Sequence, residues 1–156
     1  MILLLFSVCQ SYSLFATDFN CNEIKQSREY IEDLKSFVKE MANHYNQKKT
    51  SNLDLSTIGL GFQDNSYYLE RNYPYILALN LSKNVLRQVD IRFLLRFPHT
   101  QTLDLSQNCL SSLEEKHRLA FMHIKILNVS QNLIQTVHPF TFSNISFEII
   151  DLSHNR

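Results

Sequence analysis

The sequence predicts an α/β fold, a solenoid with short parallel strands on a concave face, helical turns and loops on a convex face, and a capping helix at its N-terminal end. Three observations point there. An apolar frame recurs four times in register between residues 76 and 156, an apolar stripe at helical spacing precedes it, and only two glycines and three prolines occur in 156 residues. So few turn formers argue against a sandwich of tight hairpins and against a phosphate-cradling glycine loop. A hydrophobic content of 44% suits one folded unit. Fifteen basic residues balance fifteen acidic ones, leaving no long-range positive field to attract nucleic acid or anionic lipid.

The elements follow in order. Residues 1–16, "MILLLFSVCQSYSLFA", are an uncharged apolar run that fades into small residues, as a secretory signal peptide does, with cleavage near Ser13 or Ala16. The alternative is a buried N-terminal segment, because no basic residue opens the run. It is too short to span a membrane, and no other stretch reaches the ~20 consecutive apolar residues a span requires. Loss of the leader removes Cys9 and leaves Cys21 and Cys109. Two cysteines pair only if their Cα atoms come within about 7 Å, and nothing in the residue order implies it. Both are expected as free thiols, or Cys21 as awaiting a partner outside the chain.

Residues 17–50 are expected to form the N-terminal helical cap. Ile24, Ile31, Leu34, Val38, Met41 and Tyr45 recur at helical spacing, and Asn20 with Glu23 has the form of a capping box. Such a helix would cover the open side of the first repeat; a partner-binding helix or a coiled-coil seam is the alternative. The repeats are expected over residues 51–156, beginning with a degenerate unit, "NLDLSTIGL" (52–60), in which Ile58 stands where the others have asparagine. Tyr67, Tyr68, Tyr73 and Tyr75 follow, read as sealing the junction of helix and repeats, with an aromatic contact patch as the other reading.

About three and a half regular units come next. "ILALNLSKNVLRQV" (76–89), "TQTLDLSQNCLSSL" (100–113), "IKILNVSQNLIQTV" (124–137) and "FEIIDLSHNR" (147–156) align without a gap, and their asparagines at 84, 108, 132 and 155 give spacings of 24, 24 and 23 residues. That period with this frame is the mark of leucine-rich repeats. The alternating pairs Leu79 and Leu81, Leu103 and Leu105, Leu127 and Val129, Ile150 and Leu152 turn inward, because strand side chains alternate faces. Leu86 and Val89, Leu110 and Leu113, Ile134 and Val137 are expected to wrap the core after the bend. At the bend, backbone groups leave water without a ladder partner, at about 1–3 kcal/mol for each buried group left unpaired. An asparagine amide supplies both donors and acceptors there, so Asn84, Asn108, Asn132 and Asn155 are expected to stack as a structural ladder.

The return segments are expected to be partly helical, with Leu94 and Phe97, Leu119 and Met122, and Phe142 and Ile145 facing the core, two α-turns over 114–123, and a looser run at 138–144 around Pro139. On the concave face the outward columns are Ala78, Thr102, Ile126 and Ile149, then Asn80, Asp104, Asn128 and Asp151, then Ser82, Ser106, Ser130 and Ser153, with Lys83, Gln107, Gln131 and His154 at the rim. From these, Thr102, Asp104, Gln107, Ile126, Gln131, Ile149 and Asp151 are the candidate contacts, a nearly uncharged surface suited to protein. Asn80, Asn128 and Asn144 begin Asn-x-Ser sequons and are candidate N-glycosylation sites if the chain is secreted.

No catalytic, cofactor or metal site is expected. Asp151, Ser153 and His154 lie close, but Asp104 and Ser106 hold the same places in the preceding frame without a histidine, so "LDLS" reads as scaffold. His117 and His123 do not share a helix face and lack an acidic or cysteine cluster. The six histidines are expected at the surface.

Secretion together with "LDLSQN", "LNVSQN" and "LDLSHNR" resembles the ectodomain of an extracellular leucine-rich repeat protein, and the 24-residue spacing with a phenylalanine return segment is similar to Toll-like receptors and their secreted relatives. The resemblance implies a horseshoe outside the cell that binds a protein or microbial ligand or a co-receptor, and that pairs with a second copy. The cysteine clusters usual at both ends of such domains are reduced here to Cys21. The frame stops in mid-unit after Ile150 and Leu152, so an N-terminal piece of a longer protein is expected. A secreted structural or matrix-associated repeat protein is the alternative function.

Overall fold

A computed structural model describes Cys21, residues 28–61 and residues 69–156. The expected leader, the Asn20 and Glu23 pair, Ile24, Tyr67 and Tyr68 lie outside the described residues.

Helix α1 (Arg28–Gln47) buries Leu34, Val38 and Ala42, which at spacings of four make one stripe, flanked by half-buried Tyr30, Phe37, Met41 and Tyr45. Glu32, Asp33 and Glu40 face water, where Lys35 reaches Glu32 within one turn. The helix stops because Lys49 turns left-handed (φ 51), which lets the Thr50 N–H donate to the Tyr45 carbonyl. The Thr50 hydroxyl donates to the same oxygen.

Five strands follow, each of three residues: β1 (Asn52–Asp54), β2 (Ala78–Asn80), β3 (Thr102–Asp104), β5 (Ile126–Asn128) and β7 (Ile149–Asp151). They form one parallel sheet in that order, with Leu53, Leu79, Leu103, Leu127 and Ile150 aligned across it. Between them lie α2 (Ile91–Leu94), β4 (Ser112–Leu113), a 3-10 turn (Glu115–His117), α3 (Arg118–Phe121) and β6 (Thr136–Val137). Strands β4 and β6 pair in a second parallel sheet on the return side. Neither the second sheet nor the 3-10 turn was expected. Helix α2 starts where the Asp90 carboxylate accepts the N–H groups of Arg92 and Phe93.

The core runs between the five-stranded sheet and the return segments. Leu53, Leu55, Leu79, Leu81, Leu103, Leu105, Leu127 and Val129 are all buried, each contributing about 1.5–3 kcal/mol of transfer free energy. Leu86, Val89, Leu110, Leu113 and Ile134 close it from below. At the β7 side Ile150 and Leu152 are exposed, and Val137, expected in the core, is exposed as well, because β6 is the edge of its small sheet.

The return segments correct one expectation. Leu94 and Phe97 are buried, but Leu119 and Met122 are 52% and 51% exposed, and Phe121, just before Met122, is fully buried. Phe97 lies thirteen residues after Asn84, and thirteen after Asn108 comes Phe121, so Leu119 and Met122 are one residue out of step. Phe142 and Ile145 pack half-buried against the core.

Tyr73 seals the side facing α1. It is buried, stacks on Phe97 at 5.4 Å, and its hydroxyl donates to Asn43 Oδ1 on α1 at 3.4 Å. Burial pushes its phenol above the ordinary value of 10.0. Tyr75 is exposed, with the Lys49 ammonium over its ring.

Candidate functional site

The exposed face of the five-stranded sheet carries the candidate contacts. Thr102, Ile126 and Ile149 stand in register on neighbouring strands, as do Asp104, Asn128 and Asp151, so each row steps by about 4.8 Å. Ile149 is 58% exposed, Thr102 and Ile126 are half-buried, and Gln107 and Gln131 lie exposed at the rim. Two further residues, Asn52 and Asp54 on β1, extend both rows.

The second row has a job within the fold. Oδ1 of Asp54, Asn80, Asp104, Asn128 and Asp151 accepts the backbone N–H of Ser56, Ser82, Ser106, Ser130 and Ser153, at 2.8 to 3.0 Å. Each is an Asx turn that bends the chain out of its strand. The bend carries the serine off the outward face: Ser82, Ser106 and Ser130 are buried, correcting their placement in an outward column. The Asp151 carboxyl is held below its ordinary value of 3.8 by hydrogen bonds from the Ser153 hydroxyl and N–H. That Asp151–Ser153 contact is the bend found in every unit.

The residue after each serine is left-handed although none is glycine: Thr57, Lys83, Gln107, Gln131 and His154 have φ between 52 and 58. The N–H groups of Thr57, Lys83, Gln107 and Gln131 each donate to the serine carbonyl of the following unit. The ladder comes next. Asn84, Asn108 and Asn132 are buried, and in each Nδ2 donates to the leucine carbonyl of the preceding unit and to two carbonyls of its own. Their Oδ1 atoms accept N–H groups of the preceding bend: Ile58 and Leu60 for Asn84, Leu86 for Asn108, Leu110 for Asn132. Asn155 makes the same set with Ile134, Val129, Leu152 and Ser153.

Two features escaped the sequence reading. Cys21 and Cys109 are joined in a disulfide across 88 residues, with Cα atoms 5.8 Å apart, so neither is a free thiol. Cys109 sits buried one place after its ladder asparagine, in the column of Val85 and Leu133, and Arg87 of the preceding unit donates to the Cys21 carbonyl, so Cys21 is held against two neighbouring units. His117 is only 1% exposed and not a surface residue. Nine residues after the ladder asparagine come Phe93, His117 and Thr141, all buried, so alignment on the asparagines marks the column. His117 Nδ1 accepts the Glu114 N–H at 2.9 Å, while the Glu114 side chain takes the His117 N–H, a reciprocal cap for the 3-10 turn. Burial holds its imidazole below the ordinary 6.5, and Nε2 has no partner among the described residues.

Of the sequon asparagines, Asn80 and Asn128 are half-buried on the strand face, whereas Asn144 is exposed on the return side, with φ 58. Among the described residues no group of three or more His, Cys, Asp or Glu side chains converges to hold a metal ion, and no helix is long and apolar enough to cross a membrane.

Among solved structures, the chain is similar to the leucine-rich repeat domain of APL1B, with a TM-score of 0.61 and 19% identity over 86% of this chain. It spans 36% of that neighbour's length. The parallel sheet with its helical returns therefore has the fold of a leucine-rich repeat protein. No family model matches the chain, and no curated protein does.

Proposed function

We propose that this chain is a non-catalytic extracellular recognition module, the ligand-binding part of a Toll-like-receptor-type ectodomain, taking a protein or microbial ligand on the open face of its sheet. The observation that carries the reading is the in-register presentation of outward side chains on parallel strands, Thr102, Asp104, Ile126, Ile149 and Asp151 among them, with Gln107 and Gln131 exposed at the rim beyond the bends. A rigid row of mixed apolar and polar groups with sparse charge suits contact with another macromolecule. Below that face a ladder that consumes both amide atoms of each asparagine serves as scaffold. In this reading the units wind as a solenoid, and α1 caps its first turn by packing Leu34, Val38 and Ala42 beside β1. The Cys21–Cys109 disulfide supports the extracellular assignment, because such bonds persist in oxidising compartments. Residues 1–16 then act as the leader.

The test is to express the full chain from its own N-terminus in eukaryotic cells and probe the medium against an array of extracellular domains and microbial cell-wall polymers. The expected result is a secreted product with at least one saturable partner. Ile126→Asp or Gln131→Arg should weaken that binding tenfold or more, and Leu95→Asp on the return side should leave it unchanged. Retention inside the cell, or indifference to the substitutions on the open face, overturns the proposal.

A further inference from the structure

We infer that Asn144 is the N-glycan acceptor of this chain and that Asn80 and Asn128, which carry the same Asn-x-Ser pattern, stay unmodified; the inference rests on the extracellular reading above. Attachment requires the asparagine Nδ2 and the hydroxyl of the serine two residues on to be reached together. The fold treats the three sequons differently on both counts.

At Asn80 and Asn128 the sequon is folded into the sheet. Each Oδ1 is held by the N–H of its own sequon serine, at 2.9 and 3.0 Å, and the Ser130 hydroxyl also donates to Asn128 Oδ1 at 2.7 Å. Ser82 and Ser130 are buried. Both asparagines are half-buried, Asn80 with Asp54 and Asp104 directly beside it and Asn128 with Asp104 and Asp151. Once β2 and β5 pair with their neighbours, the serine hydroxyls are closed off.

Asn144 is the opposite case. It is exposed and left-handed, at the end of the turns that run over 139–144, and Ser146 beyond it is exposed too. Its side chain makes no hydrogen bond among the described residues, so nothing in the fold is broken by its modification. The neighbouring backbone is firm: the Ser143 carbonyl accepts Arg118 Nε at 2.8 Å and the Ile145 N–H donates to the Phe142 carbonyl. In the transfer, Asn144 Nδ2 bonds to the anomeric carbon of a lipid-pyrophosphate-linked oligosaccharide. The bond from that carbon to the phosphate oxygen breaks with its electron pair on the pyrophosphate, and one amide proton leaves to a base of the transferase. The sugar then stands on the return side, clear of Thr102, Asp104, Ile126 and Asp151.

The experiment is intact-mass measurement of the secreted full chain before and after peptide-N-glycosidase, with serine variants that leave every asparagine in place. The expected product carries one glycan, lost in S146A and equally in N144Q, and retained in S82A and S130A. A secreted chain without sugar, a glycan that survives both S146A and N144Q, or a loss in S82A or S130A overturns this inference and leaves the extracellular reading standing. A product held in the cytosol without sugar overturns both.

Discussion

At the residue scale the ladder asparagines decide stability. Asn108 takes the Leu86 N–H and gives to the carbonyls of Leu81, Leu105 and Ser106; those carbonyls also accept from Asn84 Nδ2, Asn132 Nδ2 and the Lys83 N–H, so Asn108→Ala leaves the Leu86 N–H unmet and removes one of two donors from each carbonyl. With one unmet buried group costing about 1–3 kcal/mol, the variant is expected to lose about that much in a urea melt. A second prediction concerns His117. Its folded imidazole titrates below 6.5, so between 6.5 and that lower value the unfolded chain binds a proton that the folded chain refuses. Stability is therefore full above about pH 7 and falls as the pH drops through 6.5; protonation would also deprive Nδ1 of its acceptor role toward the Glu114 N–H. In His117→Phe, which copies Phe93 of the same column, denaturation midpoints should be flat between pH 7 and 5.5 where the parent declines. The ladder was legible in the sequence because a polar amide at a constant interval inside an apolar frame has few other uses. The Asx role of Asp104 and Asp151 was not, since it depends on left-handed turns at Lys83, Gln107, Gln131 and His154, residue types that do not announce such a conformation.

At the element scale, α1 and the strands could be read from apolar spacing, while the return segments could not be read to the residue. Leu119, Ala120, Phe121, Met122 and Ile124 are nearly all apolar, so a pair three apart fits two registers, and only the distance from the asparagine selects Phe121. The disulfide was hidden for a different reason: an 88-residue separation says nothing about a 5.8 Å approach until the strands have stacked. This link fastens Cys21 to the third strand unit. Cys21→Ser is expected to cost about 2–4 kcal/mol. Thermal melts should give the variant and the reduced parent the same midpoint, and Cys21→Ser with Cys109→Val, which restores an apolar side chain like Val85, should recover packing but not the cross-link.

At the scale of the whole molecule, every unit but the first offers the same set of bonds to the one before it, so stability is built from neighbour to neighbour. The Asx row has a consequence for the molecule's field. Every bend needs an acceptor, yet the five positions alternate between acid and amide: Asp54, Asn80, Asp104, Asn128, Asp151. Formal charges are thereby held about 10 Å apart along the sheet, beyond the ~8 Å reach of unscreened repulsion at physiological salt, instead of about 5 Å. Amide spacers insulate one carboxylate from the next, so the same bend can be repeated strand after strand without raising an anionic ridge along the molecule.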